Sequence, residues 1–279
     1  MADEKRQVSA LQSVELGILK EVDRICENHD ITYFLIGGSM LGAVRHKGFI
    51  PWDDDIDIAM IRDDYDRFME IGELELSKPF ALHTYKNTPS HHYYFAHAVD
   101  TRYQVRRTGS QDQRIEDVWV DIYPIDGLPD NPLMRRAHIL ACLFYRFMYH
   151  LAYFEKISIS RSDRPLGQKI ILRMVAPFQS VIKPDKNKWR DRMDRALRKY
   201  RPQDTKLSIN FISVYLLREL FPTKIFTDLA SYAFEDMLVK GPKDFDTYLS
   251  GMYGDYMTPV SSDQAHPIEL LFDEDSVVE

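Results

Sequence analysis

The sequence predicts an α+β fold, with a mixed sheet and flanking helices over residues 1–130 and a largely helical region over residues 131–279. Three observations lead there. Helix-period and strand-period segments alternate at close spacing up to about residue 130. After Pro132 the texture changes to long helical patterns rich in Arg, Leu, Phe and Tyr, running through Arg218. Hydrophobic residues make up 44% of 279, enough for a substantial core and too many for a disordered chain.

Val8 to His29 reads as a helix, because Val8, Leu11, Val14, Ile18, Val22 and Ile25 recur at steps of three and four and share one face. Asn28-His29-Asp30 breaks the pattern. Ile31 to Ile36 is a compact β-branched and aromatic run, expected to be a buried strand. Gly37-Gly38-Ser39 follows at once, then Met40 to His46 in a helix-compatible pattern. Strand, glycine pair, hydroxyl and helix make a layout for an anion: glycines let a ligand approach the backbone, and N–H groups at a helix start attract phosphate.

Asp53-Asp54-Asp55-Ile56-Asp57-Ile58 comes next. A strand alternates faces, so Ile56 and Ile58 point to the core while Asp55 and Asp57 point together to the other side. Asp63 to Leu76 reads as an amphipathic helix. Phe80–Tyr85, Tyr93–Val99, Tyr103–Arg107 and Val118–Ile122 are further strands, and in the last one Trp119, Asp121 and Tyr123 share a face. Asp126-Gly127-Leu128-Pro129 is a turn signal. The acidic end, 273–279, reads as a tail.

Two carboxylates at i and i+2 on one strand repel unless a cation joins them. Hard divalent ions such as Mg²⁺ take oxygen ligands and usually bind one or two carboxylates plus substrate phosphates. Asp121, on a neighbouring strand, is the best-placed third carboxylate for a two-metal site that clamps the attacking and leaving oxygens of a phosphoryl displacement. D-x-D alone is weak, since most such pairs are solvated surface; its setting between apolar strand residues, just after the strand–Gly-Gly-Ser–helix unit, favours the metal reading.

The net charge of −7, from 36 basic and 43 acidic residues, argues mildly against a nucleic-acid partner. Cys26 and Cys142 stand far apart and outside any zinc spacing, so they read as reduced core residues of a cytoplasmic protein. The charged start has no apolar signal region. Ala137–Phe154 is apolar but interrupted by His138, Arg146 and His150; a spanning helix wants about 20 nearly uncharged residues, so a packed helix is expected. That stretch and Lys169–Lys183 also have a composition compatible with resting on an anionic membrane, at the inner face of the cell membrane.

The segment Gly37 to Asp57, GGSMLGAVRHKGFIPWDDDID, resembles the signature of the LicD family of phosphocholine transferases and their fukutin-related ribitol-phosphate relatives. Val118–Pro129 is similar to the family's third-carboxylate strand, and Tyr253–Pro259 to its C-terminal motif. The resemblance implies a polymerase-β-like nucleotidyltransferase fold, with residues 1–130 as catalytic core and 131–279 completing the substrate site. It implies Mg²⁺ on Asp55, Asp57 and Asp121, as one or two ions that Mn²⁺ can replace, and donor phosphates against Gly38 and Ser39. The implied donor is CDP-choline, and the implied acceptor a sugar hydroxyl of a glycan or glycolipid of teichoic acid or lipopolysaccharide type. Transfer of ribitol phosphate, nucleotidyl transfer to a small molecule, and a non-catalytic binding role on the same fold stay open.

Arg45, His46 and Lys47 read either as phosphate partners or as a solvated helix end. The pattern departs from the family at His97, where a lysine is expected, and after Pro259, where Val260 and Gln264 stand in place of a proline and an arginine. His266 reads as a phosphate ligand or acid/base group, or as a bland histidine. His91, His92 and His97 read as ordinary loop and strand histidines, since no partner stands at zinc spacing. Trp119, Tyr123, Tyr94 and Phe95 either pack the sheet or offer aromatic faces to a quaternary ammonium.

Overall fold

The structure, a computed structural model, describes residues 2–107, 114–152, 185–258, 268–272 and 277. It contains two compact units, one of Met1–Gly127 with Arg201–Glu279 and one of Leu128–Tyr200.

The first unit opens with α1 (Ala2–Asn28). Leu11, Val14, Ile18, Val22 and Ile25 are buried along one face, as their spacing predicts. The helix ends where Asp30 turns left-handed at φ 51° and Ile31 N–H donates back to the Cys26 carbonyl at 2.9 Å. β1 (Tyr33–Leu35) is fully buried and leads straight into α2 (Gly37–His46), so the helix starts on the glycine pair itself. β2 (Asp57–Ile61) follows, then α3 (Arg62–Glu75), β3 (Phe80–His83), β4 (Ala96–Arg107) and β5 (Ile115–Leu128).

The sheet runs β1-β2-β5-β4, with β3 also on β4. β2 and β5 are parallel and the other pairs of this set antiparallel, so the sheet is mixed. Tyr93–Val99 and Tyr103–Arg107, expected as separate strands, fall largely within β4. Its pairing with β5 slips between Asp100 and Gln104, where the buried Asp100 takes Arg102 at 2.7 Å. The turn expected at Asp126–Pro129 yields to strand through Leu128. Asp126 is 1% exposed and bound bidentately by Arg62, with Nε to Oδ1 and Nη2 to Oδ2 both at 2.7 Å, which outweighs the local turn preference.

In the second unit α4 (Pro132–Ala152) packs on α5 (Lys186–Leu197), with Phe144 edge-on to Trp189 and Arg190 over the ring of Tyr149. Leu133, Met134, Leu140, Phe144 and Phe147 of α4 are exposed. No described helix is long and apolar enough to cross a membrane. Phe154 and Lys169–Lys183 lie outside the described residues.

The helical pattern expected through Arg218 stops at α5. The chain returns to the first unit as β6 (Leu207–Ile209), β7 (Leu220–Pro222), α6 (Lys224–Thr227), the hairpin β8 (Leu229–Phe234) and β9 (Met237–Pro242), α7 (Phe245–Tyr253) and, beside β4, β10 (Ile268–Leu270). β6 joins the sheet through β5 and β7. Strands of three residues are too short to show a period, and the pairing that makes them strands comes from distant parts of the chain. Cys26 and Cys142 are both buried thiols.

Candidate active site

The site forms where α2 begins, beside the edge shared by β2 and β5. Gly37 holds φ 55°, a conformation that favours glycine, and a Cβ there would stand 2.7 Å from Asp57 Oδ2. That close approach brings the start of α2 directly against the Asp57 carboxylate. Ser39 Oγ accepts from the Asp57 N–H at 2.8 Å and is 2% exposed, so this hydroxyl fixes the first residue of β2. The Gly37 N–H donates to the Tyr248 hydroxyl of α7 at 3.0 Å. The returning segment thus caps the helix that the N-terminal part begins.

Parallel pairing sets Asp57 directly opposite Asp121, and the Asp121 N–H donates to the Ile56 carbonyl at 2.9 Å. Asp55, two residues before Asp57, joins them. Each of the three offers a carboxylate oxygen, all within 4.8 Å of one another. Crowding has a visible electrostatic effect. Burial, then the charges of Asp55, Asp121, Asp53 and Glu219, push the Asp57 carboxyl well above the usual carboxylate range. The Tyr123 phenol is driven up by burial and then by Asp121, Asp57, Asp55 and Glu219, which keeps it a donor; its hydroxyl lies 3.3 Å from Asp121 Oδ2. The arrangement suits a hard cation: the donors are carboxylate oxygens, convergent and over-charged.

His97 Nε2 stands 3.0 Å from Asp121 Oδ1. Its ring stacks on Trp119 with centroids 5.3 Å apart and meets His91 edge-on at 4.6 Å. Where the resemblance leads one to expect lysine, a histidine therefore faces the third carboxylate. Spacing along the chain gives no sign of this, because His97 and Asp121 meet only through the β4–β5 register. Trp119 and Tyr123 are buried, and Tyr123 packs on Phe95 at 4.2 Å. In this arrangement both rings pack the sheet.

Arg45, His46 and Lys47 stand at the far end of α2 from Gly37, about 13 Å along the axis. Arg45 reaches the Tyr256 carbonyl at 3.4 Å, and burial, then Arg45, lower the pKa of His46. The structure does not bring this cluster to the start of α2. His266, Val260 and Gln264 lie outside the described residues.

Further residues at the site were not singled out from sequence. Glu219 is 2% exposed, and burial pushes its carboxyl up to about 7 against opposing hydrogen bonds from Ser213 and Asn210. Glu15 is also 2% exposed, on α1. A signal for Glu15 did exist: it interrupts the apolar face of α1 next to Val14.

Residues 30–151 match the family model described as LicD/FKTN/FKRP, nucleotidyltransferase domain. The lipopolysaccharide cholinephosphotransferase LicD of Haemophilus influenzae is 27% identical over 270 residues, which covers 94% of this chain and 96% of that protein. The ribitol 5-phosphate transferase FKRP of Homo sapiens is 45% identical over 53 residues, 18% of this chain and 11% of that one. An uncharacterized protein of Rickettsia typhi is 37% identical over 68 residues, 24% of this chain and 20% of that one. Residues 30–151, which carry Asp55, Asp57 and Asp121, are thus similar to the nucleotidyltransferase domain of the LicD family.

Proposed function

We propose that this chain is a metal-dependent phosphotransferase that moves phosphocholine from CDP-choline to a sugar hydroxyl of a cell-envelope glycan, of lipopolysaccharide type. The observation that carries the reading is the convergence of Asp55, Asp57 and Asp121 against the start of α2, in a chain aligned along nearly its whole length with a lipopolysaccharide cholinephosphotransferase.

Asp55, Asp57 and Asp121 would hold Mg²⁺, or Mn²⁺ in its place. When bound, the ion supplies charge neutralisation at the donor diphosphate and at the departing nucleotide oxygen. The chain's own residues do the rest. The first turn of α2, with Gly38 and Ser39, turns its positive end toward the diphosphate. The sugar hydroxyl attacks the phosphorus that bears choline, its proton passes to Asp121, and cytidine monophosphate leaves. The His97 ring beside Oδ1 and the Tyr123 hydroxyl near Oδ2 hold the Asp121 carboxylate in one orientation. Positioning and charge neutralisation carry most of the rate in such transfers. Contact of the exposed apolar residues of α4 with an anionic membrane would suit a lipid-linked acceptor; liposome flotation without binding would remove that element.

The identity with a ribitol 5-phosphate transferase across 53 residues favours a second reading, in which the donor is CDP-ribitol and the reaction class is unchanged. Calorimetric titration with CDP-choline, CDP-ribitol and CDP, each with and without Mg²⁺, separates the two. Magnesium-dependent binding of CDP-choline well above CDP supports phosphocholine transfer, and preference for CDP-ribitol changes the substrate. Equal or absent binding of all three overturns both. Release of pyrophosphate instead of cytidine monophosphate would convert the reading to nucleotidyl transfer. A folded Asp57→Asn variant with transfer near wild type would remove the metal from the mechanism.

A further inference from the structure

A donor that carries choline needs aromatic faces for its quaternary ammonium, and Trp119 and Tyr123 are taken up in packing the sheet. The returning segment supplies two other rings. Tyr215 is 37% exposed, and Tyr253, at the end of α7, is half-buried. The rings stand at 88° with centroids 5.9 Å apart, and a hydrogen bond joins the two side chains. Two accessible rings at a right angle form a corner, in which one cation can lie against both faces.

The corner adjoins the reacting centre. Tyr248, on the same helix as Tyr253, accepts at its hydroxyl from the Gly37 N–H at 3.0 Å, and a Cβ on Gly37 would stand 2.7 Å from Asp57 Oδ2. Burial raises the Tyr215 and Tyr253 phenols, and the Asp57 charge adds to the rise in both. Tyr215 also opens the turn that ends at Glu219: the Arg218 N–H donates to the Tyr215 carbonyl at 3.1 Å, and the Tyr215 N–H to Ser213 Oγ at 3.1 Å. Leu216, within this turn, holds φ 51°, a left-handed angle that a leucine rarely takes, so the turn keeps Tyr215 in place at a backbone cost. Glu219 is 2% exposed, its Oε2 is buried without a hydrogen-bond partner, and its charge bears on both Tyr215 and Tyr248. A carboxyl group with an unmatched oxygen thus stands beside the tyrosines.

A quaternary ammonium has no N–H to donate, so aromatic faces and nearby negative charge are what can hold it. We propose that Tyr215, Tyr253 and Glu219 form the subsite for the donor's trimethylammonium group, with the two rings meeting its methyl groups and the carboxylate balancing its charge. The inference rests on the phosphocholine reading and names the residues that separate choline from other alcohols at the same centre. Choline is short: two methylenes link its nitrogen to the ester oxygen, so the groups that bind the ammonium must lie close to the carboxylates that would hold the metal and the donor phosphates. The reach of the Asp57 charge to both phenols meets that demand.

The test is calorimetric titration of the full chain in Mg²⁺ with CDP-choline and with its uncharged isostere, in which a tert-butyl group replaces the trimethylammonium. The wild type is expected to favour CDP-choline about tenfold. Tyr215→Leu and Glu219→Gln should each lower that ratio about threefold, and Tyr215→Phe, which keeps the ring face, should preserve it. Affinity for CDP, which carries no ammonium, is expected to be unchanged in all three variants, which separates loss of the subsite from loss of structure. A preference that survives both Tyr215→Leu and Glu219→Gln, or equal binding of the two esters by the wild type, would overturn the subsite and leave the transferase reading standing. Binding of CDP-ribitol in place of CDP-choline, or equal binding of CDP-choline and CDP, removes the phosphocholine reading and the subsite with it. If circular dichroism shows Glu219→Gln unfolded, Tyr215→Leu, at a partly exposed position, decides alone.

Discussion

Asp57→Asn should make the metal-free protein more stable and the metal-loaded protein less so. The oxygens of Asp55, Asp57 and Asp121 lie within 4.8 Å of one another. At that separation and an effective dielectric near 20, each ionised pair costs about 3–4 kcal/mol, and Asp57 takes part in two such pairs. The Asp57 carboxyl is displaced upward, so protonation already relieves part of this repulsion in the parent; the neutral amide removes the rest, and its lead in chelator grows as pH rises and the parent carboxyl ionises. Saturating Mg²⁺ reverses the order, because an ion present at a thousandfold excess over its Kd stabilises the native state by about 4.1 kcal/mol, a gain the variant forgoes at this site. The assay is urea unfolding of both proteins, in chelator and again in Mg²⁺. The expected result is a crossing: the variant leads in chelator and the parent leads in Mg²⁺. An Asp57→Asn variant that gains as much from Mg²⁺ as its parent would refute the reasoning.

Three further outcomes follow from single contacts. Gly37→Ala sets a Cβ 2.7 Å from Asp57 Oδ2 at a φ of 55°; a stability loss of about 1–2 kcal/mol in urea and a roughly tenfold weaker Mg²⁺ titration are expected. Asp126→Ala strands the buried Arg62 guanidinium and should cost about 3–5 kcal/mol, read as a lower urea midpoint at pH 7; a midpoint within a few tenths of a kcal/mol of wild type would contradict the pairing. Glu219 has a folded-state value of about 7 against 4.5 when unfolded, so its neutral form stabilises the fold at acid pH, and that contribution is lost as pH rises from 4.5 through 7. In chelator, Glu219→Gln should therefore match wild type near pH 4 and exceed it near pH 8 by up to about 3 kcal/mol, the same interval converted to free energy.

Local spacing along the chain was enough for the features that rest on local physics. The apolar face of α1 repeats every three or four residues, so Leu11, Val14, Ile18, Val22 and Ile25 mark both the helix and its buried side. The glycine pair after β1 is legible because Gly37 sits at a backbone angle and a close approach that demand glycine. Asp55 and Asp57 are legible as a pair because strand geometry puts i and i+2 on one side.

The rest depended on partners far away in the chain. Asp126 carries a turn signature but sits in a strand, because the buried Arg62 holds it there. β6 and β7 are three residues each, with no period to read, and are strands because they pair with each other and β6 pairs with β5. The β2–β5 register sets Asp57 opposite Asp121, and the β4–β5 register brings His97 to the same carboxylate. By itself the sequence determined which residue types could serve the chemistry and which local elements carry them, since propensity and periodicity act within a few residues. Only the tertiary structure decided which carboxylates meet and what stands behind them, because strand register and the pairing of buried polar groups are settled between segments the chain keeps far apart.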